Sequence, residues 1–211
     1  MSEPAPDDPI ARFAAVLAEA KAIPRDVLPE PTAFALGTVD ADGRPSVRIV
    51  LLKGVDERGF VFYTNYESRK GRELLASWRA AMCFHWQQLE TQVRVEGRVD
   101  TVSEEEADAY FASRARGSQI GAWASLQGQP IPNTNALTAR VAEAERRFAN
   151  REVPRPPHWS GFRVVADRIE FWKGMPNRLH VRHLYTRERQ AATLAATGTL
   201  NAGWRRDVLY P

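Results

Sequence analysis

The sequence predicts a mainly β (α+β) protein: an antiparallel barrel with helices packed outside it. Three observations carry this expectation. There are about seven β-rich segments joined by short turns, the few amphipathic helical segments never alternate with strands as βαβ units, and no internal repeat or linker divides the chain. One domain over residues 9–211 is expected, preceded by a disordered tail at residues 1–8.

Asp8 and Pro9 read as an N-cap and first helical position, and Ile10, Phe13, Ala14 and Leu17 then follow the i, i+3, i+4, i+7 spacing of an amphipathic helix. After a proline-rich link, residues 32–39, 46–53 and 60–65 are β-rich, with Asp42-Gly43 and Glu57-Arg58-Gly59 as hairpin turns. Residues 68–77 read as a short helix and 81–88 and 91–102 as strands. Ser103-Glu104-Glu105-Glu106 is a capping box that opens a helix through Tyr110 and Phe111. Residues 135–148 form another amphipathic helix, and strands return at 161–172, 178–185 and 204–209. The stretch 169–182 is two apolar runs around a Gly/Pro/Asn turn, a hairpin signal. On a strand, Arg178, His180 and Arg182 would share one face and Leu179 and Val181 the other.

Composition narrows the function classes. The chain has 211 residues, 44% hydrophobic and 26% charged, enough to bury one sizeable core. Cys83 is the sole cysteine, so no intrachain disulfide forms and a reducing compartment is expected. Among the four histidines only His180 and His183 lie close together, and neither CxxC nor HExxH occurs, so no metal site is expected. The segment from Met1 to Pro9 is acidic and proline-rich, without a signal pattern, and no apolar run reaches membrane-spanning length; a cytoplasmic protein with no membrane partner is expected. A net charge of +3 raises a nucleic-acid reading, but the basic residues are dispersed and no nucleic-acid-binding motif occurs.

Three segments carry anion-binding chemistry. Arg48-Ile49-Val50-Leu51-Leu52-Lys53 is an aliphatic strand with a cation at each end, and a buried cation persists only when paired or bound to an anion. Alternation puts Arg48 and Lys53 on opposite faces, so either a bulge intervenes or Lys53 reaches round from the strand end. In the second segment Tyr63, Thr64, Ser68, Arg69 and Lys70 run from a strand into a helix start, where hydroxyls, free backbone N–H groups and the helix dipole suit a phosphate. The third brings Tyr110, Arg114 and Ser118, with Tyr110 and Arg114 four apart on one helical face. Singly, these residues also suit core packing, a surface ion pair or a solvated cap. Together with the basic wall at 178–182 they suggest two phosphorylated ligands, a cofactor and a substrate. No G-x-G-x-x-G or Walker loop is present.

These segments, with Ser118-Gln119-Ile120-Gly121-Ala122-Trp123 and Glu170-Phe171-Trp172 followed by Arg178-Leu179-His180-Val181-Arg182, resemble the pyridoxine/pyridoxamine 5′-phosphate oxidase family, in order from about Asp8 to Pro211. The resemblance implies an FMN-binding split β-barrel and a homodimer with FMN at the subunit interface. It also implies oxidation of pyridoxine or pyridoxamine 5′-phosphate to pyridoxal 5′-phosphate, with hydride passing from C4′ to flavin N5 and O2 as acceptor.

Carried over, the family pattern makes the Arg48 to Lys53 strand, Tyr63, Thr64, Ser68, Arg69, Lys70 and Gln92 flavin contacts, with Gln127, Gly128, Trp172 and Arg182 completing the set. Gln127, Trp172 and Arg182 would come from the partner subunit. Lys53, Tyr110, Arg114 and Ser118 would hold the substrate phosphate. Arg178 over the pyridine ring and His180 on its 3-hydroxyl would be the catalytic pair. The chain departs from the pattern at Val181, usually acidic, at Gly128, usually a hydroxyl residue, and before Asp7, where the basic arm of some members is missing. Three other readings share parts of these signals. A phenazine-type flavin oxidase would lose the substrate-phosphate set, a non-catalytic flavin module would not need Arg178 and His180, and a nucleic-acid binder would show steep salt dependence without flavin colour.

Overall fold

The computed structural model describes residues 8–188 and 203–211. Of the expected tail at 1–8, residues 1–7 lie outside the described residues. Asp8 caps the first helix, its carboxylate accepting from the Ile10 N–H at 2.8 Å. That helix, α1 (Pro9–Ala22), buries Phe13, Leu17 and Ala20 against the sheet, and the Phe13 ring sits 4.8 Å from Phe60 and 4.9 Å from Phe84.

The strands are β1 (Ala33–Val39), β2 (Pro45–Leu51), β3 (Gly54–Asp56), β4 (Gly59–Asn65), β5 (Arg79–Trp86), β6 (Thr91–Thr101), β7 (Trp159–Lys173), β8 (Val181–Arg187) and β9 (Trp204–Leu209). All pair antiparallel, in the order β2-β1-β5-β6-β7-β4-β3, with β8 on β7 and β9 on β8. One strand organises the sheet. The N-terminal half of β7 pairs with β4, its C-terminal half pairs with β8, and β6 runs along its other edge. The sheet therefore divides into two branches around β7, which is what splits the barrel. A bulge at Glu96/Gly97 bends β6 across β7, and a Cβ on Gly97 would lie 2.1 Å from the Val165 carbonyl oxygen, so only glycine fits there.

The helices outside the sheet are α2 (Arg69–Ser77), α3 (Glu104–Ser113), α4 (Arg116–Ala124) and α5 (Thr134–Arg147). Ser68, Ser103 and Asn133 cap α2, α3 and α5 with side-chain oxygens. The last three helices build a second apolar cluster from Phe111, Ile120, Ala144, Phe148 and Trp159. The main core is aromatic-rich, with Phe34, Phe62, Phe84 and Phe162 fully buried.

The expected mainly antiparallel barrel with external helices is the fold found. Three local expectations need correction. The 46–53 strand ends at Leu51: Leu52 N–H still bonds to Thr32 beside β1, whereas Lys53 N–H bonds to Val61 in β4, so the chain changes partner here and opens the unexpected strand β3. Helix α4 was not foreseen, because its run of Gly, Ser and Gln lacks apolar periodicity. The 178–185 strand begins only at Val181. Pro176, Asn177 and Arg178 form a tight 3-10 turn in which Asn177 and Arg178 take positive φ, so the turn continues through the first basic residue.

Candidate functional site

A cleft of about 480 Å³ lies between the end of β2, the end of β4, the start of α2 and the α3–α4 corner. It gathers side chains that are remote in sequence: Ile49, Val50, Leu51 and Lys53 from the β2 end, and Tyr63 and Thr64 from β4. Lys70, Tyr110, Arg114, Ser118 and Gln127 complete the set of expected residues around it. The partner exchange after Leu51 answers the alternation problem, since Lys53 leaves the strand and reaches the cleft from its end.

Of the three cations that line the cleft, Lys53, Lys70 and Arg114, the last two make no ion pair among the described residues. Lys70 Nζ donates to Gln127 Oε1 at 2.8 Å, Thr64 Oγ1 at 3.2 Å and Ser68 Oγ at 3.3 Å, all uncharged acceptors. Burial and then the nearby Arg48 guanidinium lower its pKa, so the site already carries uncompensated positive potential. Ser68 places the start of α2 beside it, adding free backbone N–H groups. Arg114 follows the last turn of α3, and its Nη1 is buried with no hydrogen-bond partner among the described residues. Burial lowers its pKa, against the effect of Tyr110. Two half-buried cations without a carboxylate partner fit two phosphate groups.

Aromatic rings join these two ends. Tyr63 stacks on Tyr110 with centroids 4.0 Å apart and on Trp159 at 5.4 Å, while the Tyr63 hydroxyl donates to the Glu106 carbonyl. Burial raises the pKa of both phenols, so both remain neutral donors near neutral pH.

Other expected residues lie off the cleft. Arg48 turns into a separate network: it donates to Thr38 Oγ1, Ser46 Oγ, the Leu36 carbonyl and, at 3.2 Å, to buried Glu73. Arg69 is largely exposed and donates to Glu73 at 2.7 Å. Burial alone would raise the Glu73 pKa, but hydrogen bonds from Thr38, Ser46 and Arg69 outweigh it and hold it at about 2. Leu52 belongs to the core, Ser68 is a helix cap, and Gly128 sits in a turn at φ +86° near Arg69.

The C-terminal residues form a second group. Gln92 faces Trp172 across β6 and β7, and Trp172 pairs in register with Arg182 on β8. Arg182 donates to buried Glu170 at 2.8 Å, and the His180 ring lies tilted against Trp172, centroids 4.6 Å apart, beside a cleft of about 460 Å³. The Met175 N–H donates to His180 Nδ1 at 3.2 Å, which leaves Nε2 to carry the proton outward. The expected common strand face of Arg178, His180 and Arg182 is corrected, because Arg178 lies in the preceding turn. Within the chain, Gln127 contacts Lys70 and Thr64, and Gln92 groups with Trp172 and Arg182.

Sequence reasoning missed Trp159 and Glu73. Trp159 carries no charge and stands in an unremarked Pro-Pro-His-Trp run, so nothing but the fold could place it. Glu73 was legible in principle, four residues after Arg69 on one helix.

This branched antiparallel sheet, with an anion-suited cleft at its edge, defines a split barrel of the FMN-binding type. Residues 22–148 match the family described as pyridoxamine 5′-phosphate oxidase, and residues 159–211 match the pyridoxine 5′-phosphate oxidase C-terminal dimerisation region. A pyridoxine/pyridoxamine 5′-phosphate oxidase of Myxococcus xanthus is 58% identical over 98% of this chain and 93% of that protein. One from Rubrobacter xylanophilus is 55% identical over 97% and 87%. Among solved structures, PhzG from Burkholderia lata, in complex with tetrahydrophenazine-1-carboxylic acid, superposes with a TM-score of 0.82 at 30% identity, covering 98% of this chain and 94% of that one. A pyridoxamine 5′-phosphate oxidase-related, FMN-binding protein of Nostoc punctiforme shares the fold, with a TM-score of 0.71 at 17% identity and all of both chains covered. The chain belongs to the pyridoxine/pyridoxamine 5′-phosphate oxidase family, and it is an oxidoreductase of that family. No helix among the described residues is long and apolar enough to cross a membrane.

Proposed function

We propose that the protein oxidises pyridoxine or pyridoxamine 5′-phosphate to pyridoxal 5′-phosphate, using FMN and O2, as a homodimer. The observation that carries this reading is the cleft with two half-buried cations, Lys70 and Arg114, that have no carboxylate partner among the described residues. Lys70, Thr64, Gln127 and the start of α2 would hold the flavin phosphate. Arg114, with Lys53, Tyr110 and Ser118, would hold the substrate phosphate. FMN, when bound, supplies the acceptor for a hydride from substrate C4′ and passes the electrons to O2.

The chain's own residues supply binding and orientation. Anchoring the phosphate at Arg114 fixes the reacting carbon at a set distance from the cofactor site, and such positioning accounts for a large share of a rate enhancement. Trp172, Arg178, His180, Arg182 and Gln92 gather in a separate region of the chain, so the complete site is read as shared, a second copy bringing these residues over the cleft. His180, with Nδ1 occupied, would donate from Nε2 to the ring 3-oxygen while Arg178 covers the ring. No residue is assigned as a strong general base.

Purified protein with added FMN should form pyridoxal 5′-phosphate aerobically from pyridoxine 5′-phosphate, followed by aldehyde absorbance. Formation that needs both FMN and the substrate's phosphate supports the reading. A yellow, FMN-loaded protein that makes no product would move the function to another flavin reaction, such as one on a phenazine-type carboxylate, or to a carrier role.

A further inference from the structure

Among the described residues, two arginines with almost fully buried side chains are neutralised by carboxylates, in contrast to the half-buried Arg114. Arg163 is 8% exposed and contacts Asp56 at 2.8 Å and Glu106 at 2.9 Å. Arg155, 10% exposed, pairs with Glu104 and Asp108. Arg114 forms no ion pair among the described residues. Its guanidinium carbon instead lies 4.7 Å from the centroid of the Trp159 ring and 5.5 Å from that of Phe111.

We propose that Trp159 is a positioning residue for Arg114: its indole face holds the guanidinium in the cleft where a carboxylate would otherwise stand, leaving both the charge and the N–H donors free for the substrate's phosphate. The inference rests on the reading of Arg114 as a phosphate ligand. A carboxylate partner would occupy two N–H groups and cancel the charge that the phosphate needs. An aromatic face supports a cation through its quadrupole without taking a hydrogen bond, an effect worth about two- to thirtyfold in an equilibrium constant. The guanidinium plane can then stack while its edge points to the ligand.

The indole is itself fixed. Trp159 is 7% exposed and opens β7 in register with Asn65. Its carbonyl accepts from Arg155 Nη1 at 2.8 Å, and Arg155 ties the same point to Glu104 and Asp108 on α3, the helix that delivers Tyr110 and Arg114. The Tyr63 and Tyr110 rings stack parallel to it, so the platform spans the cleft wall.

The test is calorimetric titration of FMN-loaded dimer with pyridoxal 5′-phosphate and with pyridoxal, for wild type, Trp159→Phe, Trp159→Leu and Arg114→Ala. The expected result is about tenfold weaker binding of the phosphorylated ligand to Trp159→Leu, retention within about threefold in Trp159→Phe, and unchanged pyridoxal binding. Steady-state kinetics should show the same loss in KM more than in kcat. Wild-type affinity in Trp159→Leu, or equal losses in the Leu and Phe variants, would overturn the inference, since packing alone would then explain the residue. Should Trp159→Leu not fold, fluorinated tryptophan placed at position 159 decides the matter: affinity that falls with each added fluorine supports the stacking role, and unchanged affinity refutes it. Arg114→Ala separates the two levels of argument, because undiminished phosphate binding there would remove the phosphate reading itself.

Discussion

Arg48, in a network off the cleft, and Arg114, in the cleft lining, are held in opposite ways. Arg48 is surrounded by its own acceptors: two hydroxyls, a carbonyl and the buried Glu73 carboxylate. Arg114 has a buried Nη1 with no acceptor among the described residues and ring faces beside its charge. The first arrangement is stable without a ligand, because every desolvated donor is answered. In the second, the cost of a buried, unanswered donor is already present and a ligand anion relieves it. A cation with partners supports structure, and one without partners is ready for binding.

The largest test of this contrast is on stability. Removing the carboxylate in Glu73→Ala leaves Arg48 half-buried and uncompensated, and breaking such a pair costs about 3–5 kcal/mol. Arg114→Ala should cost no more than about 1 kcal/mol, since no hydrogen bond of Nη1 is lost. Urea midpoints of the two variants measure the difference, and equal losses would erase the distinction.

Acid provides a second measure. Glu73 has its pKa lowered from 4.5 to about 2 in the folded state, so the unfolded chain binds the proton first. The stability it contributes, roughly 3 kcal/mol, is full above pH 4.5 and is lost as pH falls toward about 2. The difference in stability between wild type and Glu73→Gln should therefore shrink across that window. A difference independent of pH would mean that the carboxylate is not the group that matters.

How much of this was legible before folding depended on what kind of signal each residue carries. The caps at Asp8, Ser68 and Ser103, the hairpin at Asp42-Gly43 and the amphipathic helices announce themselves through local chemistry, and they were placed to within a few residues. The change of partner at Lys53 is a tertiary event with no local sign, so β3 was hidden. At the site, charged and hydroxyl residues were found because anions select such types. Trp159 was invisible for the opposite reason, since aromatic residues serve any core. The grouping of Gln92 with Trp172, and of Gln127 with Lys70, depends on strand register and loop path, which spacing alone does not encode.

Function should divide along the same line. Arg114→Ala removes a charge-assisted contact to the substrate, and a loss of about 1.5–3 kcal/mol corresponds to a rise in KM on the order of ten- to a hundredfold, with flavin retained. Lys70→Ala should release flavin first, seen as loss of yellow colour on gel filtration. The comparison sharpens further if Arg48→Ala destabilises the fold and loosens flavin together. Should Arg114→Ala shed flavin while keeping its substrate affinity, the two ends of the cleft have been assigned the wrong way round.

The smallest expected effect discriminates most finely. Ser46 Oγ donates to Glu73 at 2.7 Å and accepts from Arg48, so it belongs wholly to the neutralised network. Ser46→Ala removes both of these half-buried hydrogen bonds and should cost about 1–2 kcal/mol of stability. Because Arg48 keeps its bonds to Thr38, Leu36 and Glu73, flavin retention should change little. Ser118 also carries a single hydroxyl, but it is exposed and lines the cleft beside Arg114. Ser118→Ala should leave stability within about 0.5 kcal/mol and instead weaken binding of the phosphorylated ligand several-fold. The two substitutions delete the same atom from the same residue type, so thermal melts and ligand titrations should move in a crossed pattern. Only a division between cations held for the fold and cations held for a ligand produces that crossing; parallel shifts in both variants would mean that the Arg48 network and the cleft act as one.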